Sequence, residues 1–469
     1  MTSSPENPTS SPGSLARDSV GTTLTNGTLF LLGIIIWVAV ARLLGPVWRG
    51  ELALVMLAPM IAIKAGTFGY EQGMVVIGGK DKDALGRLTR TGVALGFLLG
   101  LIFIALLLSF MWGFPKTFWR ITQVWLPLPF LVISLSFPLH LVTLAYDSAI
   151  YAEDRIAARN AKELVVNLVM IVVIFAAVFL FNLQLMGVIG AYVVANVVSL
   201  AYAWLLVRNR VQLDGPTDLR LTARAVKLGF PIYLASLASY VMLPAMMILL
   251  SFALPDIPER NLARIAFFTM AYQMVDRILP VTRSVAFALL PKITAVADDQ
   301  AGELAAKASR HTLLASLALF VVLVAFMHPI VAVLLGKRYL SVVGAFAIMA
   351  PAGVALSVAG VWSAHLLARF RAYHVARAGI LGVVVALIVA GLGFYHLQPG
   401  REVLVASTSV VVGTFFNAGI LLAAFCSTAN ISPAAAIVPR LSDFRDWRRV
   451  PGFVTEMIRR RRIEEGRST

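Results

Sequence analysis

Apolar stretches of about twenty residues, separated by short polar breaks, recur from Leu24 to Phe425. A helix of that length matches the ~30 Å hydrocarbon core of a bilayer, so each stretch predicts a membrane crossing. Twelve are predicted, near 23–43, 51–77, 88–111, 124–145, 163–182, 186–207, 229–252, 263–290, 311–335, 341–366, 375–395 and 402–426. The polar segment 208–228 divides them six and six. Short segments of alternating polarity, the mark of a membrane β-barrel, are not visible. The pattern therefore predicts an all-α integral membrane protein with about 12 transmembrane helices. An even number of crossings per half makes an internal duplication a pair of parallel repeats, related by an axis along the membrane normal.

This pattern divides the chain into five parts: a disordered N-terminus rich in Ser, Thr and Pro (1–20), an N-lobe (21–207), a linker (208–228), a C-lobe (229–426) and a basic tail (427–469). The first apolar stretch is too long for a cleavable signal, and no small-residue cleavage site interrupts it. In the tail, Arg alternates with Phe444, Trp447, Phe453, Met457 and Ile458. That mixture fits an amphipathic helix on the inner leaflet or a solvated basic segment.

Two stretches carry charges well inside their ends. One, 263–290, holds Asp276, Arg277 and Arg283; the other, 51–77, holds Lys64 and Glu71. An ionisable group near the bilayer centre costs ~2.5–3.5 kcal/mol even on the lenient insertion scale, so five such groups require a reason. Lys64 lies thirteen residues from Glu51, and Asp276 thirteen from Ala263. In each stretch the outer two charges are seven residues apart, two turns of a continuous helix, and so share a face. Read as counterparts in a duplicated chain, the stretches carry opposite signs at matching positions. The spacing predicts two pairs across the lobes, Lys64 with Asp276 and Glu71 with Arg283, which would lower the insertion cost and suit gating. The structural alternative is pairing within one lobe, fixing helix packing. Arg277 is left over; a guanidinium facing a wet cavity suits a pyrophosphate, and Arg283 is an equal candidate.

Composition narrows the field. With 59% hydrophobic and 14% charged residues the chain is excluded as a water-soluble globule. The single cysteine, Cys426, precludes an intramolecular disulfide, and no metal site is expected. The formal charge of +16 does not point to nucleic acid, because the basic residues lie between crossings and in the tail. With both termini cytoplasmic, 28 Lys and Arg fall on the inner side and 9 on the outer. The positive-inside rule favours that orientation, with anionic lipid headgroups as partners.

Several stretches resemble the polysaccharide flippases of the multidrug/oligosaccharidyl-lipid/polysaccharide exporter superfamily. They are ARLLGPVWRGELAL from Ala41, MGVIGAYVVANVVSLAYAWLL from Met186, GFPIYLASLASYV from Gly229, and LLGKRY followed by MAPAGVALS between 334 and 357. The resemblance implies two six-helix lobes around a central cavity, lined by crossings 1, 2, 7 and 8. It also implies alternating access in a bacterial inner membrane. The implied cargo is an undecaprenyl-pyrophosphate-linked oligosaccharide moved outward for surface polysaccharide synthesis, with polymerase machinery as a further partner. Twelve crossings fit this branch better than the fourteen of the peptidoglycan-precursor flippases.

The alternatives are a cation-coupled multidrug exporter and, in another class, a membrane glycan polymerase or ligase. Buried charges numbering three basic to two acidic favour an anionic cargo over a cationic drug. External loops of about a dozen residues at most leave no room for a catalytic domain, so a transporter and not an enzyme is expected. No Walker-type loop is visible, and no cofactor is expected. Coupling to H+, Na+ or the membrane potential remains, with Glu71 and Asp276 as candidate ion sites. Further candidates for the cavity are Asn26 with the threonines of the first crossing, and Arg42 and Arg49 at the outer mouth. Arg159 and Arg377, in comparable cytoplasmic turns, are candidates for substrate loading. Helix packing competes for the first set and headgroup anchoring for the others. His140, His328 and His365 are scattered and are assigned to packing.

Overall fold

The computed structural model describes the backbone of residues 12–122, 127–211, 213, 217–254, 258–295, 298–396 and 400–440. It describes their side chains except for 12–26, 239, 258, 283–295, 298 and 299. Residues 1–11, the tail from 441 and the side chains of Asn26 and Arg283 lie outside the described residues; so does the proposed pairing of Glu71 with Arg283.

Among the described residues the chain is helical nearly throughout and contains no strand. The first two crossings are α1 (Pro12–Val55), α2 (Leu57–Thr67) and α3 (Tyr70–Gly78). α4 (Lys82–Gly113) is the third, and α5 (Pro115–Thr122) leads from it to the fourth, α6 (Leu128–Ser134) with α7 (Ser136–Ala152). α8 (Ile156–Phe175) ends in a π-helical turn, Ala176–Leu180, and α9 (Gln184–Val207) is the sixth crossing. The seventh is α10 (Leu219–Tyr240) with α11 (Met242–Ala253), bent by 42°. α12 (Pro258–Ala295), α13 (Asp298–Leu334), α14 (Val342–Ala368), α15 (Ala372–His396) and α16 (Glu402–Ala429) follow, then the short α17 (Pro433–Ile437).

By length and hydropathy, nine described helices are able to cross a membrane, or ten with the bent pair. The difference from twelve has two sources. α12 is not counted, its described part being less apolar and carrying Asp276 and Arg277, and the apolar run Gly27–Thr67 counts once although it is 41 residues long. A straight helix of that length would reach ~60 Å, twice the hydrocarbon core. It is not straight: Gly45 adopts φ 72° and Pro46 follows, so two helices meet there. α1 begins at Pro12, within the segment expected to be disordered, because proline is tolerated in a first turn and none recurs until Pro46.

The chain forms two compact units. The first comprises 1–271, 328–345 and 390–406; the second comprises 272–327, 346–389 and 407–469. The division does not fall at the linker 208–228. α10, which begins within that segment at Leu219, packs closely along α3 inside the first unit. Gly69, Gly73 and Gly229 permit this, bringing the two backbones into direct contact where any Cβ would overlap the facing main chain. The first unit holds two apolar cores, one around Val55, Phe118, Phe130 and Ile189, the other around Met74, Leu88, Tyr146 and Val207 and including Ala225 of α10. In the second unit Phe320 stacks on Phe346 and Trp362 on Phe425.

Candidate functional site

The second crossing is broken at its middle. Phe68 (φ 45°) and Gly69 (φ 83°) both adopt left-handed backbone, ending α2 and starting α3. Glycine takes this conformation freely; phenylalanine does so at a cost. The break sets two helix ends against each other inside the apolar layer. Lys64 occupies the last turn of α2 and Glu71 the first turn of α3. A cation at a C-terminus and a carboxylate at an N-terminus each meet the favourable end of a helix dipole. The break thus supplies a local reason for charges in this crossing. It also corrects the sequence reading, because a seven-residue spacing shares a face only on a continuous helix.

α10 closes the break from one side. Lys64 Nζ donates to Ser236 Oγ at 3.0 Å and lies 5.2 Å from the centre of the Tyr240 ring. The Tyr233 hydroxyl donates to the Lys64 carbonyl at 3.0 Å, satisfying an oxygen that the end of α2 leaves open. Tyr233, Ser236 and Tyr240 follow at helical spacing, so one stripe of α10 makes all three contacts.

Glu71 lies beside a cavity of about 90 Å³ that Tyr70, Gly92, Leu141 and, from α10, Thr222 also line. Lys64 and Arg159 attract its carboxylate and Asp147 repels it. Arg159, on α8, lies 4.6 Å from the centre of the Tyr151 ring, and its buried Nε bonds to no acceptor among the described residues. Three residues on, Lys162 Nζ donates to both carboxylate oxygens of Asp147, at 2.6 and 2.7 Å, and lies 3.3 Å from Glu163 Oε1. Lys162 is 0% exposed and Asp147 7%. Next to this pair, His140 Nδ1 and Asn196 Oδ1 are 3.0 Å apart.

The first unit thus holds a cluster of Lys64, Glu71, Asp147, Arg159, Lys162 and Glu163, three cations with three carboxylates. Asp147, Lys162 and Glu163 were not legible as site residues. Ending the fourth crossing at 145 and starting the fifth at 163 left Asp147 and Lys162 in a supposed cytoplasmic loop. In fact α7 runs to Ala152 and α8 starts at Ile156. One signal was available: Asp147 and Lys162 are nearly equidistant from the turn at Asp154 (φ 57°), and an antiparallel helical hairpin brings such residues level.

The remaining candidates lie elsewhere. α12 runs through Pro280 without the break seen in the second crossing, so the two supposed counterparts differ in form. On α12, Asp276 is exposed and Arg277 half-buried, and the two attract each other as neighbours. Thr282 and Ser357 share a hydrogen bond of 2.7 Å a turn further on. Arg42 donates through Nε to the Leu334 carbonyl at 2.7 Å and through its guanidinium to Val333, capping α13. Arg49 is buried, and Gly50 beside it touches the Leu262 backbone. The Tyr339 hydroxyl donates to the Ala41 carbonyl at 2.8 Å, and burial holds its phenol above the usual range. Arg377 is exposed in the second turn of α15, without the half-buried setting of Arg159. Among the described residues no group of His, Cys, Asp and Glu is placed to hold a metal ion.

The fold is that of known transporters. The chain is similar to the lipid II flippase MurJ in an inward closed conformation, with a TM-score of 0.65 at 14% identity over 87% of this chain and 90% of that one. It is similar to a multidrug resistance MATE family transporter of the MOP superfamily, inward-facing, with a TM-score of 0.62 at 14% identity over 86% and 96%. A mutant of the Vibrio cholerae MATE transporter VcmN gives 0.54 at 17% identity over 88% and 98%. Among curated proteins none matches the sequence significantly. A family model described as "Polysaccharide biosynthesis protein" matches residues 15–297, more than half of the chain. This multi-pass membrane protein, with the fold of MOP-superfamily transporters, belongs to the polysaccharide biosynthesis protein family.

Proposed function

We propose that this protein is a flippase moving an undecaprenyl-pyrophosphate-linked oligosaccharide from the inner to the outer leaflet of a bacterial plasma membrane by alternating access. The observation that carries this reading is the pairing of a polysaccharide-biosynthesis family match with a transporter fold. Within it, Arg159 is assigned to the pyrophosphate: it is half-buried and stacked on an aromatic ring, and its Nε has no acceptor among the described residues. Lys64 and Arg277 are secondary ligands for the anion. Glu71 and Asp276 are the carboxylates proposed to respond to a coupling proton, to Na+ or to the membrane potential. Both termini are placed in the cytoplasm, which puts the Arg159 end of α8 on the loading side.

The test is a lipid extraction from cells lacking the protein, with mass analysis of polyprenyl-linked glycans. Accumulation of a polyprenyl-pyrophosphate oligosaccharide with loss of a surface polysaccharide is expected. Arg159→Ala, restored to those cells, is expected to bind the anion about ten- to a hundredfold more weakly, the equivalent of ~1.5–3 kcal/mol for a hydrogen bond to a charged group. The second reading is a cation-coupled multidrug exporter, favoured by the three clustered carboxylates Glu71, Asp147 and Glu163. An unchanged lipid pool with raised sensitivity to cationic dyes would establish that reading and sink the first.

A further inference from the structure

Outside the charged cluster, a groove of about 680 Å³ opens in the second unit between α13, α14 and α16. Ligand sites for drug-sized molecules occupy ~300–1,000 Å³, so the volume is ample for a binding site. Its lining is apolar almost throughout. Along α13, Leu313, Leu317, Phe320, Val321 and Val324 repeat at helical spacing and cover ~16 Å of the helix axis. The floor is packed: Phe320, Val358 and Trp362 are buried, and Gly353 leaves room for the Phe320 ring. The rim is open, with Leu317, Val321 and Phe415 exposed.

One end of the groove adjoins a chamber of opposite character. Ile437 of α17 and Leu313 of α13 line the groove; Ala435 and Arg310, a few residues back on the same helices, line a polar cleft of about 640 Å³. Among the described residues, Lys307, Arg310 and Arg440 supply three cations to this cleft, against the carboxylate of Glu303. Arg310 is held in place by donating to the Ala435 carbonyl at 2.6 Å. An apolar channel ending in a basic cleft is complementary to an amphiphile with a hydrocarbon chain and an anionic head. The surplus of positive charge matches a pyrophosphate better than the single charge of a phosphodiester, and that favours a polyprenyl pyrophosphate over a bilayer phospholipid.

We propose that the groove between α13, α14 and α16 binds the polyprenyl chain of the transported lipid as it is loaded, while the Lys307–Arg310–Arg440 cleft holds its pyrophosphate at that first stage, before Arg159 takes it up. This assignment rests on the flippase reading, and it places a tail-binding site within the second unit, apart from the Arg159 cluster. With the N-terminus inside, the cleft opens on the loading side of the membrane.

The test uses the full-length protein in nanodiscs of phosphatidylethanolamine and phosphatidylglycerol. The probe is a polyprenyl pyrophosphate with a diazirine on its terminal isoprene, and adducts are mapped by mass spectrometry. Adducts are expected on groove residues of α13, α14 and α16, displaced by unlabelled polyprenyl pyrophosphate but not by a twentyfold excess of phosphatidylglycerol. Leu317→Trp and Val321→Trp, both at the exposed rim where folding is spared, are expected to reduce labelling at least tenfold. Lys307→Ala is expected to weaken displacement by the unlabelled pyrophosphate several-fold. Equal displacement by phosphatidylglycerol would overturn the proposal and make the groove a seat for bilayer lipid. Specific adducts confined to other helices, with transport intact in the tryptophan variants, would overturn the site and leave the flippase reading standing. Absence of specific labelling anywhere, with no lipid-linked glycan accumulating in deficient cells, would remove both.

Discussion

Replacing Lys162 by alanine is expected to destabilise the protein by ~3–5 kcal/mol, the range for removing one partner of a buried ion pair. The reason lies in Asp147. It is 7% exposed, and Lys162 Nζ, itself 0% exposed, donates to both of its oxygens. Without the ammonium, the carboxylate stays buried in a neighbourhood that also holds the negative charges of Glu163 and Glu71. Thermal unfolding of a detergent-solubilised fluorescent fusion would read the loss. Removing both charges, in Lys162→Met with Asp147→Leu, is expected to recover most of the stability, because a well-packed apolar pair avoids desolvation altogether. Transport by that double variant separates two roles: retained activity makes the pair a packing device, and lost activity in a stable protein places it in the transport cycle. A single Lys162→Ala variant as stable as the parent would refute the buried pairing.

The second large effect is expected at Gly229. A methyl group there would overlap the Gly69 carbonyl, and one at Gly73 would overlap the Ala225 carbonyl. These are main-chain atoms on two packed helices, so no side-chain rotation relieves the clash. Gly229→Ala should cost at least the ~1–3 kcal/mol typical of an overpacked core. Pushing α10 away would also stretch the 3.0 Å bond from Lys64 to Ser236, so transport should fall at least tenfold even where protein accumulates. Gly190→Ala is the control. Its Cβ would meet nothing within 4 Å, and alanine in a helix interior is favoured over glycine by ~1 kcal/mol, so stability should hold or rise. If Gly229→Ala melts and transports like Gly190→Ala, the close approach of α10 to the broken crossing is wrong.

These positions differ in how visible they were beforehand. Lys64 and Glu71 stood out because charge in an apolar stretch is costly and therefore rare. Their relation to each other did not, since the seven-residue spacing assumed a helix that Phe68 and Gly69 interrupt. Asp147 and Lys162 were hidden for the opposite reason. They lie near the ends of their crossings, where a polar residue excites no suspicion, and only the extension of α7 and α8 past those ends buries them. Arg42 looked like a residue of the outer mouth; its guanidinium is spent on the last carbonyls of α13, almost three hundred residues away.

What the sequence by itself determined is the solvent and the architecture: an all-α, multi-pass chain whose crossings follow from apolar run lengths. Those features are local. Hydrocarbon thickness and the cost of unsatisfied backbone act on each twenty-residue stretch separately, so composition suffices to read them. Which charges meet was decided only by the tertiary structure. Pairing depends on where a crossing breaks, how closely glycines let two backbones approach, and which helix ends are capped from afar. Each of those rests on a single backbone angle or a contact between distant residues, and neither leaves a periodic trace in the sequence.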